Sequence, residues 1–224
     1  MEFKNVREYV DSHQHKGMRK RLIDILREKG ISDEAVLDAM NTIPRHFFLD
    51  SVFDKIAYED RAFPIAADQT ISHPYTVAYQ TQLLEVKKGE KVLEIGTGSM
   101  YQTSILAELG ALWVFTIERQ KKLFDQQKDY CFKKKYLNIK FFYGDGFLGL
   151  PTYGPFDKIL ITAAAPFIPP KLVEQLKPGG KMVIPVDEGE KQRMIRLTKL
   201  PDGTIQEETF EEFSFVPMLA GKNN

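Results

Sequence analysis

Cysteine is almost absent from this sequence: Cys131 is the only one among 224 residues. A single cysteine cannot form a disulfide within the chain, and such sparse usage fits a reducing compartment. No apolar run approaches the roughly 18 residues that a membrane-spanning helix requires. The N-terminal stretch is charged and lacks the apolar core of a signal peptide. We therefore expect a cytoplasmic protein that does not enter a membrane.

An excess of either charge is also missing. The 31 lysines and arginines balance 31 aspartates and glutamates, so the formal net charge at pH 7 is zero. This balance argues against the broad basic surface that binds nucleic acid or an anionic membrane. The hydrophobic fraction of 43% is sufficient for a full core. We expect one domain with an elaboration, or two at most, and neither nucleic acid nor membrane as a partner.

Apolar strands alternate with helical patterns between residues 91 and 186. The predicted strands are 91–95, 113–118, 139–143, 156–162 and 181–186, and the predicted helices are 101–109, 119–136 and 169–177. This alternation predicts an α/β fold with a Rossmann-like doubly wound sheet, mostly parallel and covered on both faces. Two further stretches, 194–200 and 207–216, alternate apolar and polar residues around a Pro-Asp-Gly turn. They predict a C-terminal antiparallel hairpin.

The first 86 residues have a different character and predict a helical extension. Apolar positions indicate a helix over 18–29, Ser32 is the expected N-cap of a second helix, and Pro74 is suited to begin a third. An irregular stretch from residue 44 to residue 73 separates the second helix from the third. Long loops inside compact domains are usually functional or disordered, and the aromatic side chains of this loop favour an ordered one.

The most informative local motif is VLEIGTGSMY at residues 92–101. An apolar strand leads into Gly96 and Gly98, and a helix follows, which is how α/β proteins present backbone N–H groups to a nucleotide. Glu118 ends the next predicted strand about 20 residues later, where an acid accepts ribose hydroxyls. That spacing also fits NAD. However, Tyr101 stands where the dinucleotide fingerprint has its third glycine, so a dehydrogenase is the weaker interpretation.

Six segments occur in a fixed order along the chain: IPRHFFLD at 43–50, DQTISHPYTVAYQTQLLE at 68–85, VLEIGTGSMYQTSILAEL at 92–109, GDGFLGLPTYGPFDKILITAAAP at 144–166, LKPGGKMVIPV at 176–186 and FSFVPML at 213–219. Together they resemble the protein-L-isoaspartate O-methyltransferases, a branch of the class I S-adenosylmethionine-dependent methyltransferases. The resemblance extends over nearly the whole chain from about residue 18. The segment at 68–85 resembles the family's active-site segment and is the most specific.

The resemblance implies a protein repair methyltransferase. Such enzymes transfer a methyl group from S-adenosyl-L-methionine to the α-carboxylate of L-isoaspartyl residues in damaged proteins and peptides, which are therefore the expected partners. It implies a helical extension with an active-site lid at residues 1–86 and a cofactor-binding methyltransferase core at residues 87–224, packed as one compact unit. We expect a monomer rather than an oligomer.

The resemblance also assigns roles to individual residues. Ser72 stands at the position of the active-site serine; because the acceptor carboxylate is already ionised at neutral pH, we interpret it as a positioning group. The expected cofactor-binding residues are Gln69, Thr70, Ile71, Glu94, Gly96, Thr97, Gly98, Glu118, Asp145, Gly146 and Thr162. The expected substrate-binding residues are His73, Val216 and Pro217. No Cys/His cluster supports the pair His13 and His15, so we expect no metal.

Met100 is the main departure from the family pattern, which usually has glycine at this position. Its side chain can point away from the ligand and pack flexibly, or it can crowd the cofactor and weaken binding. Two alternatives to isoaspartyl methylation therefore stay open. One is a related methyltransferase that acts on another carboxylate, small molecule or peptide. The other is a non-catalytic protein that binds peptides or cofactor.

Overall fold

The computed structural model describes residues 9–223. Its N-terminal part is helical, with one small pair of strands before the third helix. The elements are α1 (His13–Glu28), α2 (Glu34–Thr42), 3-10 turns at Arg45–Phe48 and Ser51–Phe53, the antiparallel strands β1 (Phe63–Pro64) and β2 (Thr70–Ile71), and α3 (Pro74–Leu84). No helix within residues 9–223 has the length and apolar character needed to cross a membrane.

The remainder of the chain alternates strands and helices before ending in antiparallel strands. In order, the elements are β3 (Lys91–Ile95), α4 (Tyr101–Glu108), β4 (Trp113–Glu118), α5 (Lys121–Gln126), β5 (Ile139–Tyr143), β6 (Phe156–Ile161), α6 (Pro170–Glu174), β7 (Leu176–Asp187), β8 (Gln192–Lys199) and β9 (Ile205–Phe213). Short 3-10 turns lie at Gln127–Asp129, Gly146–Leu148 and Pro151–Tyr153.

Seven strands form one sheet in the order β5-β4-β3-β6-β7-β8-β9. Strands β3 to β7 are parallel, and β8 and β9 extend the sheet in antiparallel fashion. This arrangement confirms the predicted Rossmann-like α/β fold, its C-terminal hairpin and its N-terminal helices. From β3 the chain continues to β4 on one side, and the later strand β6 pairs with β3 on the other side, so the strand order reverses at β3. A crevice therefore opens at the carboxyl end of β3, where α/β proteins bind ligands.

Alternate residues of β3 face two separate hydrophobic clusters. Val92 belongs to the cluster that also contains Leu26 of α1 and Leu37 of α2, whereas Leu93 and Ile95 belong to the cluster on the opposite face of the sheet. The N-terminal helices thus pack on one face of the sheet and share its core. Removing these helices would expose the apolar surface that they cover. Each buried aliphatic side chain contributes about 1.5–3 kcal/mol to the free energy of folding. The boundary at residue 86 stays a prediction.

The predicted helix over 119–136 is wrong in its second half. Helix α5 ends at Gln126, and a 3-10 turn and irregular turns follow. The aromatic side chains of Tyr130, Phe132 and Tyr136 all pack into the core cluster. Residues two apart on a helix point in nearly opposite directions, so a continuous helix could not bury both Tyr130 and Phe132 on one face. The aromatic packing overrides the local helical pattern.

Several element boundaries also differ from the sequence prediction. Helix α1 begins already at His13, because Ser12 and His15 form a reciprocal capping box. Asp33, not Ser32, caps α2 by accepting hydrogen bonds from two backbone N–H groups. Strand β7 begins at Leu176 instead of residue 181, since Leu176 already pairs with Phe156 before a register shift; α6 consequently ends at Glu174.

Candidate functional site

A cavity lies at the carboxyl ends of the central strands, beneath the segment that contains β2. Most of the residues predicted from the sequence line it: Gln69, Thr70, Ile71, Ser72, Gly96, Thr97, Gly98, Glu118, Gly146, Thr162, Val216 and Pro217. His73, Glu94 and Asp145 are not part of its lining. Segments separated by more than a hundred residues are thus brought to one place by the fold.

The glycine loop after β3 is shaped by close contact with Thr162, the residue that follows β6. Gly96 has a φ of 98°, and a Cβ atom at this position would lie 2.5 Å from Thr162 Oγ1. The Thr162 hydroxyl lies 2.9 Å from the carbonyl oxygens of both Ile95 and Gly96, to which it donates. Gly146 is similarly constrained, since its Cβ would lie 2.3 Å from Ile95 Cγ2. Both glycines therefore let the backbone pack against Thr162 and Ile95 more closely than a residue with a side chain could.

Glu118 is held in the wall of the cavity by backbone N–H groups. Its Oε2 accepts a hydrogen bond from Gly98 N at 2.9 Å, and its Oε1 accepts one from Gln120 N at 2.8 Å. Burial raises the pKa of this carboxyl, while the hydrogen bonds from the backbone act in the opposite direction. Because each carboxylate oxygen has two lone pairs, the fixed Glu118 can still accept hydroxyl donors from a ligand.

Glu94 lies beneath the glycine loop and is completely buried. Its Oε2 accepts hydrogen bonds from Thr103 Oγ1 at 2.5 Å and Thr116 Oγ1 at 2.6 Å. Since Thr116 donates its single proton to Glu94, the 2.6 Å contact between Thr116 and Thr97 requires Thr97 as the donor. Burial raises the pKa of Glu94 to about 8. Through these hydrogen bonds Glu94 holds Thr116, which in turn accepts from Thr97 of the glycine loop.

The lid segment, residues 69–72, is anchored by a buried arginine. Arg45 Nη2 donates to the main-chain carbonyl of Ser72 at 2.9 Å, and Arg45 Nε donates to Ala57 O at 3.1 Å. The guanidinium lies 5.2 Å from the ring centre of Tyr101. Burial lowers the pKa of Arg45 to about 10, so the group stays charged at neutral pH. His73, which precedes α3, has an exposed side chain that makes no capping hydrogen bond.

The C-terminal segment contributes another part of the cavity wall. Val216 O accepts a hydrogen bond from Ala164 N at 2.8 Å, which holds Val216 and Pro217 against the end of β6. Asp145 ties this segment to the end of β5, because its Oδ2 accepts from Gly221 N at 2.8 Å. The neighbouring Gly146 lines the cavity, whereas the Asp145 carboxylate is engaged in these structural contacts.

Met100 points away from the cavity. It caps α4 with a left-handed φ of 71° and buries its side chain beside Phe48, Leu49 and Ile65, in the wall of a second cavity. This placement agrees with the first of the two interpretations of Met100. The left-handed conformation costs a residue with a side chain roughly 1–2 kcal/mol, which explains why glycine suits the position.

Several lining residues were missed from the sequence. Gln80 of α3, Tyr101 and Gln102 of α4, and Gln120 after β4 all line the cavity. A signal existed for two of them, since Gln80 and Gln102 are polar residues on helices that are otherwise mostly buried. Arg45 was also missed as a contact of the lid, because no local pattern connects it with Ser72.

A second cluster of ionisable groups lies at the start of α1. Asp11, His15 and His46 bring potential ligand atoms within 4.8 Å of one another. Both oxygens of Asp11 accept from Arg19, at 3.0 and 2.9 Å. His46 Nδ1 lies 2.8 Å from the hydroxyl of Tyr58, and its Nε2 lies 3.2 Å from Val10 O. The cluster is thus a hydrogen-bond network that fixes residues 10–12 to α1 and the following turns.

Comparison with known proteins identifies the family. Residues 17–223 match the family model of protein-L-isoaspartate(D-aspartate) O-methyltransferase. The chain is 54% identical over 213 residues to a protein-L-isoaspartate O-methyltransferase of Cytophaga hutchinsonii, covering 95% of each chain. It is 53% identical over 216 residues to the protein of the same description from Flavobacterium johnsoniae, covering 95% of this chain and 99% of that one.

A solved structure supports the same conclusion. The fold resembles that of a Plasmodium falciparum protein, described as a protein-L-isoaspartate O-methyltransferase in complex with S-adenosyl-L-homocysteine. The TM-score is 0.77 at 26% identity, and the match covers 93% of this chain and 99% of that one. The chain belongs to the protein-L-isoaspartate(D-aspartate) O-methyltransferase family.

Proposed function

We propose that this chain is a repair enzyme that transfers a methyl group from S-adenosyl-L-methionine to the α-carboxylate of L-isoaspartyl residues in damaged proteins and peptides. One observation carries the proposal: the lid residues 69–72 and the glycine loop 96–98 line a single cavity, together with the C-terminal residues Val216 and Pro217. The residues that we assign to the cofactor and to the peptide thus line one space in a chain that belongs to this family.

The residues of the cavity fit the cofactor. Glu118 offers a fixed acceptor for the ribose hydroxyls. Gly146 lines the cavity without a side chain, and we assign it to contact with the adenine. Gly96 and Gly98 bring backbone groups close to the rest of the ligand. We assign Gln69, Thr70, Ile71, Thr97 and Thr162 to the remaining contacts, and Glu94 and Asp145 to supporting positions behind this lining.

The bound cofactor supplies a methyl group on a positively charged sulfur. The chain must align the acceptor carboxylate with that methyl group and exclude water. Ser72 lies in the lid, two residues before α3, where its hydroxyl can donate a hydrogen bond to an anion. The first N–H group of α3, at Tyr75, already donates to Asp60 Oδ1 at 2.8 Å. Arg45 fixes the main chain of Ser72 and adds a buried positive charge nearby. No general base is needed, since a carboxyl with an ordinary pKa is ionised at neutral pH.

Isoaspartyl proteins and peptides are the substrates of this proposal. Val216 and Pro217 belong to the wall of the cavity, so we assign them to contact with the peptide, and the exposed His73 to contact with its flanking residues. We further propose a monomeric cytoplasmic enzyme that binds neither nucleic acid nor membrane. The balanced charge of the chain supports the expected lack of binding to nucleic acid and to anionic membranes.

Following the repair itself tests the proposal. An isoaspartyl peptide is incubated with enzyme and S-adenosyl-L-methionine, and its conversion is followed by chromatography. We expect an ester and a succinimide, and then the normal aspartyl peptide. No conversion beyond the cofactor-free control would contradict the proposal. The alternative of a non-catalytic binder depended on Met100, and its side chain lies outside the cofactor cavity.

A further inference from the structure

The side-chain amide of Gln102 has a fixed orientation. Thr81 Oγ1 donates its proton to Val77 O at 2.6 Å, so this hydroxyl can only accept from other groups. Gln102 Nε2 lies 3.0 Å from Thr81 Oγ1 and is the donor in that contact. Exchanging the nitrogen and oxygen of the Gln102 amide would place two acceptors against each other. The amide oxygen must therefore point away from Thr81.

This oxygen, Gln102 Oε1, is a buried acceptor without a partner. Gln102 is only 8% exposed, and Oε1 receives no hydrogen bond from any described residue between 9 and 223. Gln102 also lines the cavity described above. Burying a carbonyl oxygen without a donor is unfavourable, so native proteins rarely retain one without a reason. A ligand in the cavity can supply the missing donor.

Gln80 has its amide nitrogen committed in the same way. Its Nε2 donates to the main-chain carbonyl of Ile161 at 2.9 Å. Since a carbonyl can only accept, this contact directs Gln80 Oε1 away from Ile161. Gln80 is buried and lines the same cavity. Two helices, α3 and α4, thus each contribute an amide whose nitrogen is bound to protein.

The position of these two amides places them near the end of the ligand that lies away from its ribose. Glu118 lies at the end of β4, whereas Gln80 contacts the end of β6, and β3 separates the two strands. A ligand whose ribose binds Glu118 therefore extends across the glycine loop towards the two glutamines. In that part of S-adenosyl-L-methionine the carboxylate only accepts and the sulfonium has no proton. The α-ammonium alone donates hydrogen bonds.

We propose that Gln102 Oε1, assisted by Gln80 Oε1, binds the α-ammonium group of the cofactor's methionine tail. The inference rests on the proposed function for the identity of the ligand. The two amides thereby recognise the amino-acid part of the donor, separately from the ribose contact at Glu118. Loss of this recognition lowers the affinity for ligands that carry the ammonium group and leaves the affinity for ligands without it unchanged.

Calorimetry with two probes tests the proposal. S-adenosyl-L-homocysteine is compared with its deaminated analogue, in which hydrogen replaces the α-amino group. We expect the wild-type chain to bind the first about tenfold more tightly or better, as for a hydrogen bond to a charged group. In Gln102→Met, which keeps the length of the side chain, that preference falls to about twofold or less. Gln80→Met provides a second, independent variant with a smaller loss of preference.

Gln120→Met is the matched control, because Gln120 lines the same cavity at the Glu118 end. This substitution lowers the affinity for both probes equally and leaves the preference for the ammonium unchanged.

Equal affinity of the wild-type chain for both probes would overturn the proposal without any variant. A folded Gln102→Met variant with undiminished preference would also overturn it. An increase in KM for the isoaspartyl peptide, with the preference intact, would assign the acceptor to a peptide N–H instead. Failure of the proposed function is a separate result, seen as absent methylation by the wild-type chain.

Discussion

Arg45 Nη2 donates a 2.9 Å hydrogen bond to the main-chain carbonyl of Ser72, which joins the turn after α2 to the lid over the cavity. The same guanidinium donates to the carbonyls of Ala57 and Arg61. Its remaining nitrogen, Nη1, has no hydrogen-bond partner within residues 9–223. Arg45 is thus a buried cation whose hydrogen bonds go to main-chain oxygens. It connects three separate stretches of the lid region and sets the position of Ser72.

Arg45→Lys is expected to impair both folding and catalysis. A lysine keeps the charge but lacks the planar fork that reaches three carbonyls. We expect a loss of about 2–4 kcal/mol in the free energy of unfolding, measured by urea titration. At permissive temperature, kcat should fall about tenfold because the lid is less well positioned. The exposed Arg61→Lys provides the control and should change stability by about 0.5 kcal/mol or less. A stable, fully active Arg45→Lys enzyme would show that the tether is dispensable.

Ser72→Ala tests the hydroxyl in the lid. We predict that kcat/KM for an isoaspartyl peptide falls about tenfold, as for loss of one positioning hydrogen bond. The affinity for S-adenosyl-L-homocysteine should change little, because the main chain of the lid is held through Arg45. Ser51→Ala, in an exposed turn outside the cavity, is the control. Wild-type kcat and KM in Ser72→Ala would rule out the positioning role.

Met100→Gly and Met100→Ala separate backbone strain from side-chain packing. Both variants lose the buried thioether, but only glycine relieves the left-handed conformation at φ 71°. The free energy of unfolding should therefore be about 1 kcal/mol higher for the glycine variant than for the alanine variant, which makes the glycine variant the more stable of the two. Cofactor affinity in Met100→Gly should equal or exceed that of the wild type, because the side chain lines the second cavity. Weaker binding of S-adenosyl-L-homocysteine would show that the methionine contributes to the cofactor site.

The buried Glu94 predicts a pH dependence of stability. Burial raises its pKa to about 8 from an ordinary value of 4.5, so the folded state holds a proton that the unfolded state has released. Stability should therefore decline as pH rises from about 5 to 8, by an amount on the order of 3–4 kcal/mol. In Glu94→Gln this decline should be smaller. Urea titrations followed by the fluorescence of Trp113, the single tryptophan, measure it. Parallel pH profiles for the two proteins would contradict the assignment.

The sequence could predict the features that depend on local pattern. The apolar strands and the glycines of the loop at 96–98 are visible as short motifs, and they correctly place a ligand cavity at the end of β3. The antiparallel hairpin was visible because its alternation has a period of two residues. The helix over 119–136 was predicted too long, since the buried position of Tyr130 depends on distant aromatic partners such as Phe48 and Phe141.

Contacts between distant residues could not be predicted in this way. Arg45 and Ser72 are separated by 27 positions, and no periodic pattern connects them. The free oxygen of Gln102 follows from a chain of hydrogen bonds through Thr81, which belongs to another helix. The supporting role of Glu94 likewise requires knowledge of Thr103 and Thr116. Each of these relationships needs the folded geometry, because it depends on which atom of a side chain faces which neighbour.

The most direct test of the proposed repair activity compares two peptides that differ only in one linkage. Transfer of the tritiated methyl group from S-adenosyl-L-methionine is measured for an isoaspartyl peptide and for its normal aspartyl twin. We predict a kcat/KM at least about 100-fold higher for the isoaspartyl peptide, a discrimination of about 2.7 kcal/mol. Equal labelling of the two peptides, or no labelling of either, would contradict it.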